Sequence, residues 1–301
     1  MKNSRNFAVF ILTHGRADKV RTYKTLKRQG YTGKLYIIID NTDKQQEKYI
    51  ETFGKENVYI FDKKDVGTRC DTMDNFDKMN VILFARNACF EIAKELGITH
   101  FLELDDDYTD FAFRYVLDGK FKHDKHCSNL DKVFEAFCDC LDETNADTVA
   151  MAQSGDFIAG AKGQRFYQRV IRKAMNSFFC RTDRPFKFIG RINEDVNTYT
   201  LLGSQGKLFF TATEASLNQT QTQASSGGMT ETYLDSGTYL KSFYSVIAMP
   251  SAVKISMMGG GGNGNNYYRI HHHVSWNNCV PKILDESHKK KWDEWRMKIK
   301  I

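Results

Sequence analysis

Proline is scarce in this sequence, with three in 301 residues at positions 185, 250 and 281, and none lies in a Ser/Pro-rich tract of the kind that tethers modules. That scarcity predicts one continuous catalytic-sized domain over 1–301 rather than a string of units. Long apolar runs are missing too. A membrane span needs roughly 18 uninterrupted apolar residues, and the stretch 81–85 is already cut by Arg86. The apolar run at 7–12 behind Lys2 and Arg5 is too short for a secretory leader, and no small-residue cleavage site follows it. Cysteine pairing signals are absent: the seven cysteines form no C-x-x-C, and Cys138 and Cys140 are the nearest couple. This excludes a zinc ribbon or a disulfide framework and points to free thiols in a reducing, cytoplasmic setting. Strong charge of one sign is lacking as well. The net charge of +6, from 43 Lys+Arg against 37 Asp+Glu, is compatible with a phosphate-bearing partner without requiring one. No internal repeat is found.

What is present is enough to fill a core, with 41% hydrophobic and 13% aromatic residues. Strand and helix signals alternate along the first hundred residues. The periodicity predicts strands at 7–12, 34–39, 58–61 and 100–104, with helices at 17–29, 44–53 and 77–96. Such alternation implies an α/β sandwich, a mostly parallel central sheet with helices on both faces, whose ligands bind beyond the carboxyl ends of the strands. The second half reads less regularly. A helix is predicted at 130–141 and another beginning near Asn193, with strands at 148–153, 178–181 and 207–213. The polar and glycine-rich stretches 219–228 and 259–266 read as loops, either a substrate lid or simple insertions.

The sharpest local feature is an apolar strand, Phe101-Leu-Glu-Leu, that runs into Asp105-Asp106-Asp107. Residues two apart on an extended chain point the same way, so Asp105 and Asp107 can face one site. Crowded carboxylates cost stability unless a cation neutralises them, and hard oxygen donors suit Mg²⁺ or Mn²⁺. The competing reading is an acidic turn ahead of a helix over 108–116. Three further groups have both a plain and a functional reading. Thr13-His14-Gly15-Arg16 is an ordinary strand-to-helix turn or part of a ligand pocket, Asp40 a helix cap or an acidic strand end, and Arg86-Asn87 a surface pair or a ligand contact.

Downstream, Glu194 and Asp195 follow Gly190-Arg-Ile-Asn at a helix start. A carboxylate there either accepts the proton of an attacking hydroxyl, with Asp195 the first choice, or caps the helix. His271, His272 and His273 alternate sides on a strand, so at most two share a face, and they are mostly neutral at pH 7, as metal ligation requires. The triplet alone does not make a zinc site. Arg165, Arg169, Arg172, Lys173, Arg181, Arg184, Lys187 and Arg191 interleave with Phe166, Tyr167, Phe178, Phe179, Phe186 and Phe188. Cations of this kind hold phosphates while aromatic faces stack on an exposed base; the plainer account is a solvated strand pair with an aromatic core face. The tail 288–301 is basic and aromatic. It reads as a terminal helix packing Trp292, Trp295 and Ile299, or as a surface lying on DNA or an anionic membrane.

In their order these segments resemble the metal-dependent glycosyltransferases of the GT-A fold, whose Asp-x-Asp motif ends a strand and holds a nucleotide-sugar diphosphate through a divalent ion. On Thr13-His-Gly-Arg16, Leu104-Asp-Asp-Asp107, 190–195, Ser226-Gly-Gly-Met-Thr230, 270–276 and Pro281-Lys282, the chain resembles more closely the TET-associated glycosyltransferase family, found chiefly in tailed bacteriophages and as a domain of some animal proteins. The resemblance implies a nucleoside diphosphate sugar donor, a UDP-sugar first, bound in a half spanning 1–107 by Thr13, His14, Gly15, Arg16, Asp40, Arg86, Asn87, Asp105 and Asp106. It implies Mn²⁺ or Mg²⁺ on Asp105 and Asp107, with His271, His272 or His273 as a further ligand. Asp195, with Glu194 beside it, is then the catalytic base at the edge of an acceptor half, 108–301. The acceptor implied is 5-hydroxymethylcytosine, or another hydroxymethylpyrimidine, in phage DNA in the infected host's cytoplasm, contacted by Arg165, Arg169, Arg172, Lys173 and Arg191. A base within a duplex must be flipped out to react. The alternatives are a polysaccharide, lipid or protein acceptor, a nucleotidyltransferase, and a non-catalytic DNA-binding module.

Overall fold

Six consecutive apolar residues, Phe7–Leu12, form strand β1, and every one is buried. A strand buried on both faces needs a strand on each side and helices above and below. In the computed structural model, which describes residues 5–76, 79–157, 170–219, 239–262 and 265–279, that is the arrangement found. β1 pairs in parallel with β2 (Lys34–Asp40) and β4 (His100–Asp105), and β2 pairs in parallel with β3 (Val58–Phe61). Alternate residues of β1 face opposite layers. Val9 and Ile11 pack with Leu26 of α1 (Arg21–Arg28), Tyr49 of α2 (Gln46–Phe53) and Phe134 of α5 (Leu130–Thr144). Ala8, Phe10 and Leu12 pack with Phe84, Ala88 and Ile92 of α4 (Leu83–Glu95), which follows a short α3 (Lys63–Thr68).

Beyond β4 the sheet changes direction. β10 (Ser177–Arg181) runs antiparallel to both β4 and β8 (Thr148–Ala152). β11 (Phe209–Gln219) lies parallel to β8 and antiparallel to β5 (Tyr108–Phe113) and the short β9 (Val170–Ile171). The order is β3-β2-β1-β4-β10-β8-β11-β5, with β9 also on β11. Helix α6 (Glu194–Ser204) covers the α4 side, since Val196 and Tyr199 join that core layer. Two small hairpins complete the described chain: β6 (Tyr115–Leu117) with β7 (Lys120–Lys122), and β12 (Val253–Gly262) with β13 (Asn265–Val274), the latter behind α7 (Leu240–Ala248).

The α/β sandwich expected from the alternation is observed, and several boundaries differ for identifiable reasons. The helix expected at 17–29 starts as a 3-10 turn, Ala17–Lys19, and becomes α-helical at Arg21. The helix expected from 77 begins at Leu83. Residues 108–116 form strands, not a helix, because Phe111 and Ala112 close the far edge of the sheet against β11. The glycine run at 259–262 is not a loop. It extends the β12 ladder, where Gly259 faces Tyr268 closely enough that an added Cβ would stand 3.3 Å from the ring. All seven cysteines are free thiols. Among the described residues no helix is long and apolar enough to cross a membrane. Arg165, Arg169, the segments 226–230 and 281–282, and the basic tail 288–301 lie outside the described residues.

Candidate active site

The carboxyl ends of β1, β2 and β4 carry the residues singled out in the first half of the sequence. Where β1 ends, the Thr13 hydroxyl donates to Asp106 Oδ2 at 2.6 Å, and Arg16 Nη1 donates to Asp106 Oδ1 at 3.2 Å. Burial raises the Asp106 carboxyl even against the Thr13 hydroxyl and the Arg16 cation. Asp106 therefore points inward and ties the β4 end to the β1 turn. Gly15 takes a left-handed φ of 66°, and its N–H donates to Asp43 Oδ2 at 2.7 Å. The Arg16 and Ala17 N–H groups donate to Tyr49 OH and Gln45 Oε1, so the turn is stitched to the β2–α2 connection over its whole length.

Asp40 is buried at the end of β2 with His14 Nδ1 at 2.8 Å and Lys63 Nζ at 3.0 Å. Burial by itself would raise its carboxyl, but His14, Thr42 and Lys63 hold it far below the usual carboxylate range. Asp40 is thus a charged anchor and not a helix cap: α2 begins at Gln46, and no side chain caps it. Asp43, Gln45, Tyr49 and Lys63 were not singled out in the sequence. Asp43 and Lys63 had a readable signal, a carboxylate and a lysine just beyond predicted strand ends, while Tyr49 looks like any amphipathic-helix aromatic until the fold places it.

Arg86 on α4 does not line an exposed ligand surface, whereas Asn87 is half-buried beside a cleft lined also by Phe90, Phe186 and Lys187. Arg86 is 2% exposed. Its Nε donates to Glu194 Oε1 at 3.0 Å, its Nη2 to Asp105 Oδ1 at 3.1 Å, and its Nη1 stands 3.7 Å from Glu103 Oε2. The guanidinium lies 4.8 Å from the Phe178 ring centroid and 5.7 Å from that of Phe188. Asn87 exchanges hydrogen bonds with the backbone of Phe188, at 3.0 and 2.8 Å, which makes it a strut between α4 and the chain leading to α6.

Asp105, half-buried, ends β4 and also accepts from Tyr108 OH at 3.2 Å. Glu103, two residues earlier on the strand, is fully buried, and burial pushes its carboxyl up to about 8. At the start of α6 the cap position belongs to Asn193, in a left-handed conformation, so Glu194 and Asp195 are the first helical residues and not the cap. Asp195 is 7% exposed and its Oδ1 accepts from the Val196 N–H at 2.7 Å. Burial and the neighbouring Glu194 charge raise its carboxyl well above the usual range, while Arg86 pulls it back.

The histidine triplet lies on β13, paired with Ser256, Ile255 and Lys254 of β12. The rings of His271 and His272 lean on each other with centroids 4.2 Å apart, and burial, His271 and Lys241 hold His272 down at about 4. Among the described residues no three His, Cys, Asp or Glu side chains gather as a metal-ligand set, so the histidines do not join Asp105 and Asp107. The residues at the β4 end still fit a hard divalent ion. Mg²⁺ is commonly held by one or two carboxylates, with substrate phosphates and water completing its shell, and Asp105, the last residue of β4, and Asp107, the second residue of the two-residue turn that follows it, are both half-buried carboxylates.

Phe166 and Tyr167 lie outside the described residues, and from Arg172 to Arg191 the aromatic part of the cationic stretch is core. Phe178, Phe179, Phe186 and Phe188 are all buried. Arg191 is buried on Asp74, Lys173 pairs with buried Asp156, and Arg181 pairs with Asp142 and Asp183. Arg172 lines a small cavity with Tyr199 and Trp276. The stacking surface expected there is absent among the described residues.

Comparison with solved structures finds a mycobacterial protein at 8% identity and a TM-score of 0.46, covering 91% of this chain and 85% of that one. Glucosyl-3-phosphoglycerate synthase from Mycobacterium tuberculosis, solved with Mg²⁺ and uridine diphosphate, aligns at 9% identity and a TM-score of 0.45, over 91% and 89% of the two chains. Residues 1–349 of S. aureus TarS align at 12% identity and a TM-score of 0.38, over 70% and 59%. No curated protein matches the sequence. A family model of TET-associated glycosyltransferases matches residues 7–228, from the first residue of β1 through α6 and β11. The chain belongs to the TET-associated glycosyltransferase family.

Proposed function

We propose that this glycosyltransferase moves a sugar from a nucleoside diphosphate sugar, a UDP-sugar first, to the hydroxymethyl group of 5-hydroxymethylcytosine in DNA. The observation that carries the transfer reading is the meeting of two acidic segments, the β4 end and the α6 start, on the Arg86 guanidinium. In this reading residues 1–107 form the donor half. The turn at Thr13–Arg16 and the charged Asp40–His14–Lys63 cluster face the nucleotide. Asp105 and Asp107 hold the divalent ion, Mn²⁺ or Mg²⁺, which when bound offsets the charge of the departing diphosphate. Residues 108–301 form the acceptor half.

Asp195 accepts the proton of the attacking hydroxymethyl group. Its raised carboxyl makes it a stronger proton acceptor than an ordinary aspartate. A target base in a duplex is first flipped from the stack. The DNA acceptor is supported by the family resemblance and the mild positive charge. A second reading, a polysaccharide, lipid or protein acceptor, is favoured by the burial of the four phenylalanines expected to stack on bases. Mass spectrometry of nucleosides from hydroxymethylated DNA, incubated with the protein, Mn²⁺ and a panel of nucleotide sugars, separates the two. The expected result is one hexose mass added to hydroxymethylcytosine. Unmodified nucleosides alongside sugar transferred to a glycan or protein would replace the DNA reading.

A further inference from the structure

Arg86 is surrounded in a way that neither a surface cation nor a ligand-contacting arginine would be. Three N–H directions of its planar fork aim at three carboxylates from two elements: Nε at Glu194 on α6, and Nη2 and Nη1 at Asp105 and Glu103 on β4. Phe178 and Phe188 lie near the guanidinium, and the next residue, Asn87, locks α4 to the Phe188 backbone. Glu103 has no hydrogen-bond partner on either oxygen among the described residues, and neither has Arg86 Nη1. The hydrogen bonds of this cation therefore go to the two carboxylates nearest the site.

We propose that Arg86 is a positioning residue, a single buried cation that fixes donor-side Asp105 relative to the start of the acceptor-side helix α6. The inference rests on the assignment of those two segments to donor and acceptor. Only arginine suits the task, because its donors diverge in a rigid plane and reach two carboxylates at once, whereas a lysine ammonium is a point charge on a flexible stem. The consequence is kinetic. If the β4 end and the α6 start drift apart by about 1 Å, the attacking oxygen and the sugar are misaligned, and losses of order 10² in rate follow.

The test combines kinetics with a stability cycle. Arg86→Lys keeps the charge and loses the fork. It is expected to lower kcat about 10²-fold with the acceptor KM little changed, and Arg86→Gln to lower it at least as far. An arginine that merely stabilises the fold would lower the melting temperature and leave kcat per folded molecule at the wild-type value, and that result overturns the proposal. The second measurement needs no activity. Urea unfolding of Arg86→Lys, Glu194→Gln and the double variant is expected to be non-additive, since each single change leaves a buried group mispaired. Additive effects would overturn the pairing itself. If Arg86→Gln does not fold, Arg86→Lys alone carries both arms. If the wild type transfers no sugar to hydroxymethylated DNA, the functional reading fails, while the unfolding cycle still decides whether the clamp exists.

Discussion

Asp195 shows how little a residue's type says about its task. As the second residue of α6 it lies where the first helical N–H groups lack an intrahelical acceptor, and its Oδ1 accepts the N–H of Val196. It is also buried beside Glu194 and Arg86, which sets its proton affinity. Asparagine keeps the shape and the acceptor oxygen but cannot take a proton. Asp195→Asn is therefore expected to keep the wild-type melting temperature within a few degrees while losing about 10²–10⁴ in kcat, the usual cost of a missing base. Transfer by Asp195→Asn at near the wild-type rate would assign the proton elsewhere, with Glu194 or Asp156 the next carboxylates to test.

At the scale of elements, the position of α6 is decided by the strap that leads into it. The Gly190 and Arg191 N–H groups donate to the carbonyls of Asp71 and Thr72, Arg191 Nε grips Asp74 at 2.8 Å, and Ser245 of α7 donates to Asn197. Gly190 has a φ of 86°, and a Cβ there would stand 2.3 Å from Asn197 Nδ2. Left-handed backbone costs an L-residue roughly 1–2 kcal/mol, and the clash with Asn197 adds to it. Gly190→Ala is expected to destabilise the protein by about 2 kcal/mol or more in urea unfolding and to lower kcat by displacing the α6 start. A stability equal to wild type would show that the strap does not hold the helix.

For the molecule as a whole, buried charge sets the pH range of stability. Asp40 is buried and Asp142 half-buried, and their partners hold both far below the ordinary range, His14, Thr42 and Lys63 for the first and His100, Arg181 and Arg5 for the second. Their contribution is present above the unfolded carboxylate value of 3.8 and is lost as the pH falls. Glu103 works the other way. Its carboxyl, pushed up to about 8 by burial, contributes stability that is complete below the unfolded value of 4.5 and lost as the pH rises through 8. Melting temperature is thus expected to peak in the mildly acidic range and decline toward pH 8, with Glu103→Gln flattening that decline. An unchanged slope in Glu103→Gln would show that Glu103 is ionised throughout. Binding to DNA is also a property of the whole surface. If the mild positive charge serves DNA, affinity falls steeply with salt, and neutralising Arg165 and Arg169 together is expected to reduce the log–log slope by about 2. An unchanged slope in filter-binding titrations would remove those two arginines from the interface.

Features set by local periodicity and by the order of the chain are legible from the amino acids alone. Strictly apolar runs such as 7–12 and 35–39 have one reading as buried strands, and their alternation with amphipathic helices leads to the α/β sandwich. The strand running into Asp105–Asp107, the turn at Thr13–Arg16 and the acidic start of α6 were legible for the same reason, being motifs contiguous in the chain. What the charges do emerges from long-range packing. Arg86, Glu103 and Glu194 are far apart in sequence, and nothing in their spacing shows that one cation would serve several carboxylates. The stretch from Arg165 to Arg191 reads in sequence as a nucleic-acid surface because cations and aromatics alternate there. Alternation on a strand, however, also places the aromatic side inward, and Phe178 and Phe188 went to the core against the arginine that joins the site. Burial depends on which elements pack together, a property of long-range contacts, and for that reason the strand ends could be read in advance while the clamp between them could not.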